Sequence, residues 1–152
     1  MSDSAPLILG WRERVALPRF GIASLKAKLD SGARSSALHV ETLETFDREG
    51  ETWLRFVLRP GRRHPRRVQC EARARDRRAV TDSSGNVTER WFIETEVALA
   101  GLLFRAEISL TDRRDMLFPM LLGRTALTGR IIVDPARSYT CARMPKAMEK
   151  GA

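Results

Sequence analysis

The chain has 152 residues, 43% hydrophobic and 30% charged, and a formal net charge of +8 from 27 basic and 19 acidic side chains. That length suits one domain with its own core, and no apolar run approaches the roughly 20 residues of a membrane span. The N-terminus lacks a basic stretch leading into an apolar one, so no signal peptide is expected, and two distant cysteines, Cys70 and Cys141, make no disulfide framework.

Taken in chain order, most segments read as strands. "LILGWRERVAL", Leu7 to Leu17, is the first, closed by Pro18 and Gly21. "IASLKAKLD" alternates, with Ile22, Ser24, Lys26 and Lys28 on one face and Ala23, Leu25, Ala27 and Leu29 on the other. "TWLRFVLRP" follows the Glu49-Gly50 turn, and "RVQCEARA" sets Val68, Cys70, Ala72 and Ala74 on one face. "RWFIETEVAL" and "LLFRAEISL" form a pair joined at Ala100-Gly101. A short helix is expected near Arg124 to Leu127, and "RIIVD" returns as a strand. Many short strands with Gly and Pro turns predict an all-β sandwich or barrel. One domain over 5–142 is expected, with a flexible tail over 143–152.

The excess positive charge gathers in "RPGRRHPRRVQCEARARDRR", Arg59 to Arg78. Arginine forks suit carboxylate and phosphate, so an acidic partner is one reading. A solvated hairpin face is the other, at even odds. Nucleic acid is the weaker expectation, because no aromatic residue interrupts the run to stack on bases.

The stretch "KLDSGARSSALHV" carries the chemistry. A carboxylate, Asp30, ends a strand that should be half-buried, which is costly without work or partners. Gly32 lets other groups approach closely, and the Ser31 hydroxyl lies between them. Alone, Asp-Ser-Gly also makes ordinary turns. Downstream, "MLLGRTAL" places two aliphatics, Leu121 and Leu122, before Gly123 and Arg124.

With Leu29 before it and Ala33 after it, the Asp-Ser-Gly loop resembles the signature of retropepsins. "MLLGRTAL" resembles their second signature, whose strand threads beside the aspartate loop. "AVTDSSGNVTERWFIETEVALAG" resembles their flap hairpin, with its tip at Ser83, Ser84, Gly85 and Asn86. Together these segments resemble the bacterial retropepsin-like family often labelled "ATP-dependent zinc protease", whose genes often neighbour ATP-grasp ligases that add glutamate to ribosomal protein.

The resemblance implies a retropepsin-like acid-protease barrel and a peptidase with Asp30, Ser31 and Gly32 catalytic. It implies substrate contacts from Ala33, Arg34 and the hairpin tip, with Leu121, Leu122, Gly123 and Arg124 supporting the loop. One difference is plain. Viral retropepsins have an acid after the Asp-Thr-Gly-Ala sequence, and here Arg34 stands there, so no ion pair to Arg124 can form as such.

Aspartic proteolysis needs two carboxylates sharing a proton and a water. One loop supplies one, so a homodimer is expected, Asp30 facing Asp30. Asp82, Asp112, Asp115 and Asp134 are the alternatives within the chain, and none has the full loop signature. No cofactor or metal is expected. His39 and His64 sit in no zinc motif, His39 reads as structural, and no Gly-Lys-Ser/Thr phosphate loop follows a strand. The rival to a peptidase is a retropepsin-like module that binds acidic peptides, ribosomal protein or RNA through its arginines. A cytoplasmic setting without membrane contact is expected in either case.

Overall fold

The computed structural model describes residues 5–60, 66–82, 84–112 and 118–141. The expected tail over 143–152 lies outside the described residues. Twelve strands and one short α-helix are described. They are β1 (Leu7–Gly10), β2 (Arg12–Leu17), β3 (Ile22–Leu29), β4 (Ser36–His39), β5 (Leu43–Arg48), β6 (Glu51–Leu58), β7 (Val68–Arg73), β8 (Asp76–Thr81), β9 (Val87–Leu99), β10 (Leu102–Thr111), β11 (Met120–Leu122), α1 (Arg124–Leu127) and β12 (Ile131–Asp134). One 3-10 turn, Pro18–Phe20, lies between β2 and β3. The fold is mostly β, as the turn-punctuated alternation predicts. No described helix is long and apolar enough to cross a membrane.

The main sheet runs β10-β4-β11-β3-β2-β9-β8, and β9 also pairs with β10, so the sheet closes on itself. Its inward positions are apolar: Val15 and Leu17, Leu25, Ala27 and Leu29, Ile93 and Val97, Ile108, Met120 and Leu122. The β9–β10 hairpin turns at Ala100 and Gly101, both at positive φ (54° and 82°). That is the backbone twist a tight hairpin needs. The segment between β4 and β8 folds as a separate sheet, β5-β6-β7. Leu54, Phe56, Leu58 and Cys70 point inward from it and join the same core.

Two expectations are corrected. The strand expected over Leu7 to Leu17 breaks at Trp11. β1 pairs in parallel with β12, while β2 pairs with β3. The buried Glu13 carboxylate drives the break. It accepts the Gly10 and Thr140 N–H groups at 2.7 and 3.1 Å, the Cys141 N–H at 3.1 Å and the Thr140 hydroxyl. A buried carboxylate satisfied this fully fixes two distant stretches of chain together. Gly10 then packs so closely that a Cβ there would stand 2.4 Å from the Arg137 carbonyl oxygen. The second correction concerns Ile22, expected on the lysine face of β3. A register shift between Val15 and Leu17 pairs Ile22 with Leu17 and buries it, leaving Ala23 exposed.

Candidate active site

β3 and β4 are consecutive in the chain, yet they are not neighbours in the sheet. β11 runs between them, parallel to β3 (Leu122 beside Leu29) and antiparallel to β4 (Leu121 beside Ala37). The connection 30–35 must therefore arch over the end of β11. The Asp30 N–H donates to the Leu122 carbonyl at 2.8 Å, carrying the sheet one residue further. The Gly32 N–H donates to Asp30 Oδ1 at 2.9 Å, and the Ala33 N–H to the Asp30 carbonyl at 3.2 Å. The carboxylate thus closes its own turn, with Oδ2 directed to the Lys28 ammonium at 3.9 Å. Its side chain keeps 31% of its exposure. A Cβ on Gly32 would stand 3.1 Å from Asp30 Oδ1, tighter than an ordinary contact. Carboxylate, spacer and glycine in that order therefore fix one carboxylate oxygen and leave the other half-exposed.

The second motif is the floor of this loop. A Cβ on Gly123 would stand 2.5 Å from the Ser35 carbonyl oxygen and 2.8 Å from that of Ala33. Only glycine lets β11 pass there. The Gly123 N–H donates to Ser36 Oγ at 3.0 Å, and the Ser36 carbonyl accepts the buried Ser109 hydroxyl at 3.2 Å. The first turn of α1 meets the loop directly. Arg124 N–H donates to the Ala33 carbonyl at 2.7 Å and Thr125 N–H to that of Arg34 at 3.1 Å. The Arg124 guanidinium reaches the carbonyls of Ser31 and Gly32 at 3.3 and 3.4 Å. With no acid at position 34, Arg124 holds loop carbonyls instead. Leu122 is buried and Leu121 half-buried beside it, while the Arg34 side chain is exposed.

Sequence reasoning missed Ser36 and Lys28. Lys28 carried a signal, since β3 alternation puts it two residues from Asp30 on one face. Ser36 carried none, because its partner Gly123 is 87 residues away.

β8 and β9 form the expected hairpin, paired from Asp76–Phe92 to Thr81–Val87. At its tip Asp82 Oδ1 accepts the N–H groups of Ser84 and Asn86 at 2.9 and 3.0 Å, and Gly85 takes φ +86°. Ser83 lies outside the described residues, as does Asp115. Asp134 is also occupied, capping the Ala136 N–H at 2.9 Å and pairing with Arg137 at 3.2 Å. Asp112 lines a surface cavity of about 250 Å³ with His39, Val40 and Glu41. A larger one of about 420 Å³ adjoins Glu41, Thr42, Val57, Arg67 and Gln69, and Asp30 lines neither.

Among the described residues no three His, Cys, Asp or Glu side chains gather as a metal site. His39 stands at the end of β4, and His64 lies outside the described residues. Cys70 and Cys141 are free thiols. Burial pushes Cys70 up to about 11, and burial also raises Cys141. Neither belongs to a cluster of three metal-ligating side chains among the described residues. The residues described do not fit a zinc centre.

A strand threaded through the gap between two others, under an Asp-Ser-Gly arch floored by Leu-Leu-Gly-Arg, defines one half of a retropepsin-type aspartic-protease fold. Residues 8–144 match the family model described as the retropepsin-like aspartic endopeptidase RimB, and the chain belongs to that RimB-like family. It is 38% identical over 140 residues to a protein of Shewanella halifaxensis named a probable alpha-L-glutamate ligase, covering 91% of this chain and 30% of that one. A protein of the same name from Desulfotalea psychrophila is 40% identical over 145 residues, 95% of this chain and 31% of its own. The chain thus spans under a third of the curated relatives it matches. Among solved structures, a Legionella pneumophila protein of unknown function superposes with a TM-score of 0.73 at 27% identity, covering 88% of this chain and 97% of that one.

Proposed function

We propose that this chain is an aspartic peptidase whose dyad forms between two copies, each contributing Asp30. The observation that carries this reading is the fixed, half-exposed Asp30 carboxylate, with Oδ1 tied to the Gly32 N–H at 2.9 Å. Asp82 and Asp134 lack the Asp-Ser-Gly order that shapes the Asp30 loop, which argues against a partner carboxylate from the same chain.

Two Asp30 carboxylates brought together cannot both ionise, so the pair shares one proton. The ionised member takes a proton from a water as that water attacks the peptide carbonyl. The protonated member donates to the carbonyl oxygen. The Gly32 N–H holds the carboxylate, and Gly123 and Arg124 hold the loop beneath, Arg124 through the carbonyls of Ser31 and Gly32. Ala33, Arg34 and the tip residues Ser83, Ser84, Gly85 and Asn86 contact the peptide.

The substrate is an acidic peptide. The net charge of +8 supports this, as does the glutamate ligase name shared by relatives that carry this unit within a longer chain. A binding module without proteolysis is the second reading, and the exposed Arg34 beside the loop favours it.

The test is cleavage of a mixed peptide library and of glutamate-rich peptides by the chain and by Asp30→Asn. An amide nearly matches the carboxylate in shape but cannot activate water. Pepstatin-sensitive cleavage absent from a folded Asp30→Asn variant is expected. Undiminished cleavage by that variant would overturn the reading. Tight peptide binding with no cleavage would favour the binding module.

A further inference from the structure

β2 and β3 lie inside the main sheet, β2 between β3 and β9 and β3 between β2 and β11. Their register sets Arg12 directly opposite Lys28 and Arg14 directly opposite Lys26. Val15, Leu25, Ala27 and Leu29 are buried on the other face, so these four cations share the outer one. Like charges placed directly opposite oppose the pairing of their strands. Yet among the described residues only Lys28 meets a carboxylate, Asp30 at 3.9 Å.

An aromatic ring gathers three of the four. Arg12, Arg14 and Lys26 stand 5.0, 5.8 and 5.9 Å from the Tyr139 ring centre, and Arg12 also lies 4.7 Å from that of Trp11. Tyr139 is held at a strained φ of 54°, with its N–H on the Arg12 carbonyl at 2.8 Å. A ring positions a cation without neutralising it. The Arg12 Nε–H is also buried without a partner. Arg12, Arg14 and Lys26 are therefore an ordered array of positive charge with no carboxylate partner among the described residues, and Lys28 beside them is paired with Asp30.

We propose that this face binds the phosphate backbone of a single-stranded nucleic acid. An extended peptide prefers a free strand edge, where its own N–H and C=O groups are satisfied. The four cations stand on the face of the β2–β3 pair, not along a strand edge. A phosphate backbone needs only positioned cations, and arginine forks suit it. This stands apart from the peptidase reading, because a chain with no peptidase activity should still bind nucleic acid at this face.

The experiment is fluorescence anisotropy with labelled dodecauridylate between 50 and 200 mM salt. Three unpaired cations on a single strand give a slope of log affinity on log salt of about −2. Lys26→Gln, at an exposed position, should flatten the slope by about 0.7, and Arg14→Gln with Lys26→Gln by about 1.4. Arg55→Gln with Arg77→Gln, taken from cations already paired with glutamates, should leave it unchanged. A slope indifferent to the Lys26 and Arg14 changes would overturn the proposal. So would tighter binding of a dodecaglutamate peptide at the same face.

Discussion

The Asp30 loop and the arginine-rich sheet β5-β6-β7 are held by opposite means. The loop rests on backbone hydrogen bonds and on close passage at Gly123, with Arg124 spanning two carbonyls. The sheet's outer face and the neighbouring strands rest on ion pairs. Arg48 and Arg55 share Glu71 at 2.9 and 3.0 Å, Arg55 also meets Glu44 at 3.1 Å, and Arg73 meets Glu51 at 3.1 Å. Arg59 and Arg67 hold Glu41 at 3.4 and 3.1 Å, and Arg75, Arg77 and Arg78 pair with acids on β8, β9 and β10. Among the described residues of the densest run of positive charge, Arg59, Arg67, Arg73, Arg75, Arg77 and Arg78 thus each meet a carboxylate from another segment or strand. A residue in the loop meets a rigid neighbour, whereas a residue in the ion-pair face meets another side chain in water.

The largest contrast should come from Gly123→Ala. Its Cβ would have to displace the Ser35 carbonyl, and backbone cannot yield as a side chain does. Overpacking of this kind costs about 1–3 kcal/mol or more, so chemical denaturation should show a loss of at least that size together with loss of activity. A Gly123→Ala chain as stable as the parent would show that the loop is looser than its contacts indicate.

Next is Arg124→Gln, which removes the guanidinium from Ser31 and Gly32. Stability should fall by about 1 kcal/mol, while peptidase activity falls about tenfold or more, because Asp30 sits on those same two peptides. An equal loss in both would make Arg124 merely structural.

Glu71→Gln sharpens the other side of the comparison. The Arg48 and Arg55 hydrogen bonds pull the Glu71 carboxyl below its ordinary range. A group depressed in the folded state contributes stability above its unfolded pKa and loses it as pH falls. Thermal melts from pH 7 down to pH 3 should therefore show a shallower acid limb in Glu71→Gln. The effect should be small, shrink with salt, and leave activity untouched. Identical acid limbs in parent and variant would show the pairs to be inert.

At neutral pH the smallest effect concerns Cys70 on the inner face of the same sheet. Burial holds its thiol neutral up to about 11, whereas an unfolded thiol ionises near 8.5. A group raised in the folded state loses its contribution as pH rises, so stability should decline across that window. Cys70→Ala should show a flatter profile of denaturation midpoint between pH 8 and 11.

The loop region was the more legible in sequence. Asp30-Ser31-Gly32 and Leu121-Leu122-Gly123-Arg124 each need particular residues at fixed neighbouring positions, and short patterns of that kind survive in a string of letters. Strand alternation also exposed β3, and Ala100-Gly101 exposed the β9–β10 turn. Less could be read where partners are remote. Ser36 and Gly123 meet only because β11 is threaded between β3 and β4. Glu13 binds residues 127 and 128 positions away, and nothing near it announces a break at Trp11. The partners of the arginine run were illegible for the same reason, since its counter-charges come from other segments. The bare cations, by contrast, were hidden in an ordinary alternation until the β2–β3 register set them opposite one another.

The shared dyad is tested most directly by mixing. Unfolded parent chain and Asp30→Asn chain are combined in varied proportion, refolded together, and assayed for peptide cleavage at constant total concentration. If each active centre takes one Asp30 from each of two copies, a mixed pair is inactive and activity follows the square of the parent fraction. Activity falling in simple proportion to the parent fraction would mean that each chain works alone, and would contradict a dyad built from two copies of Asp30.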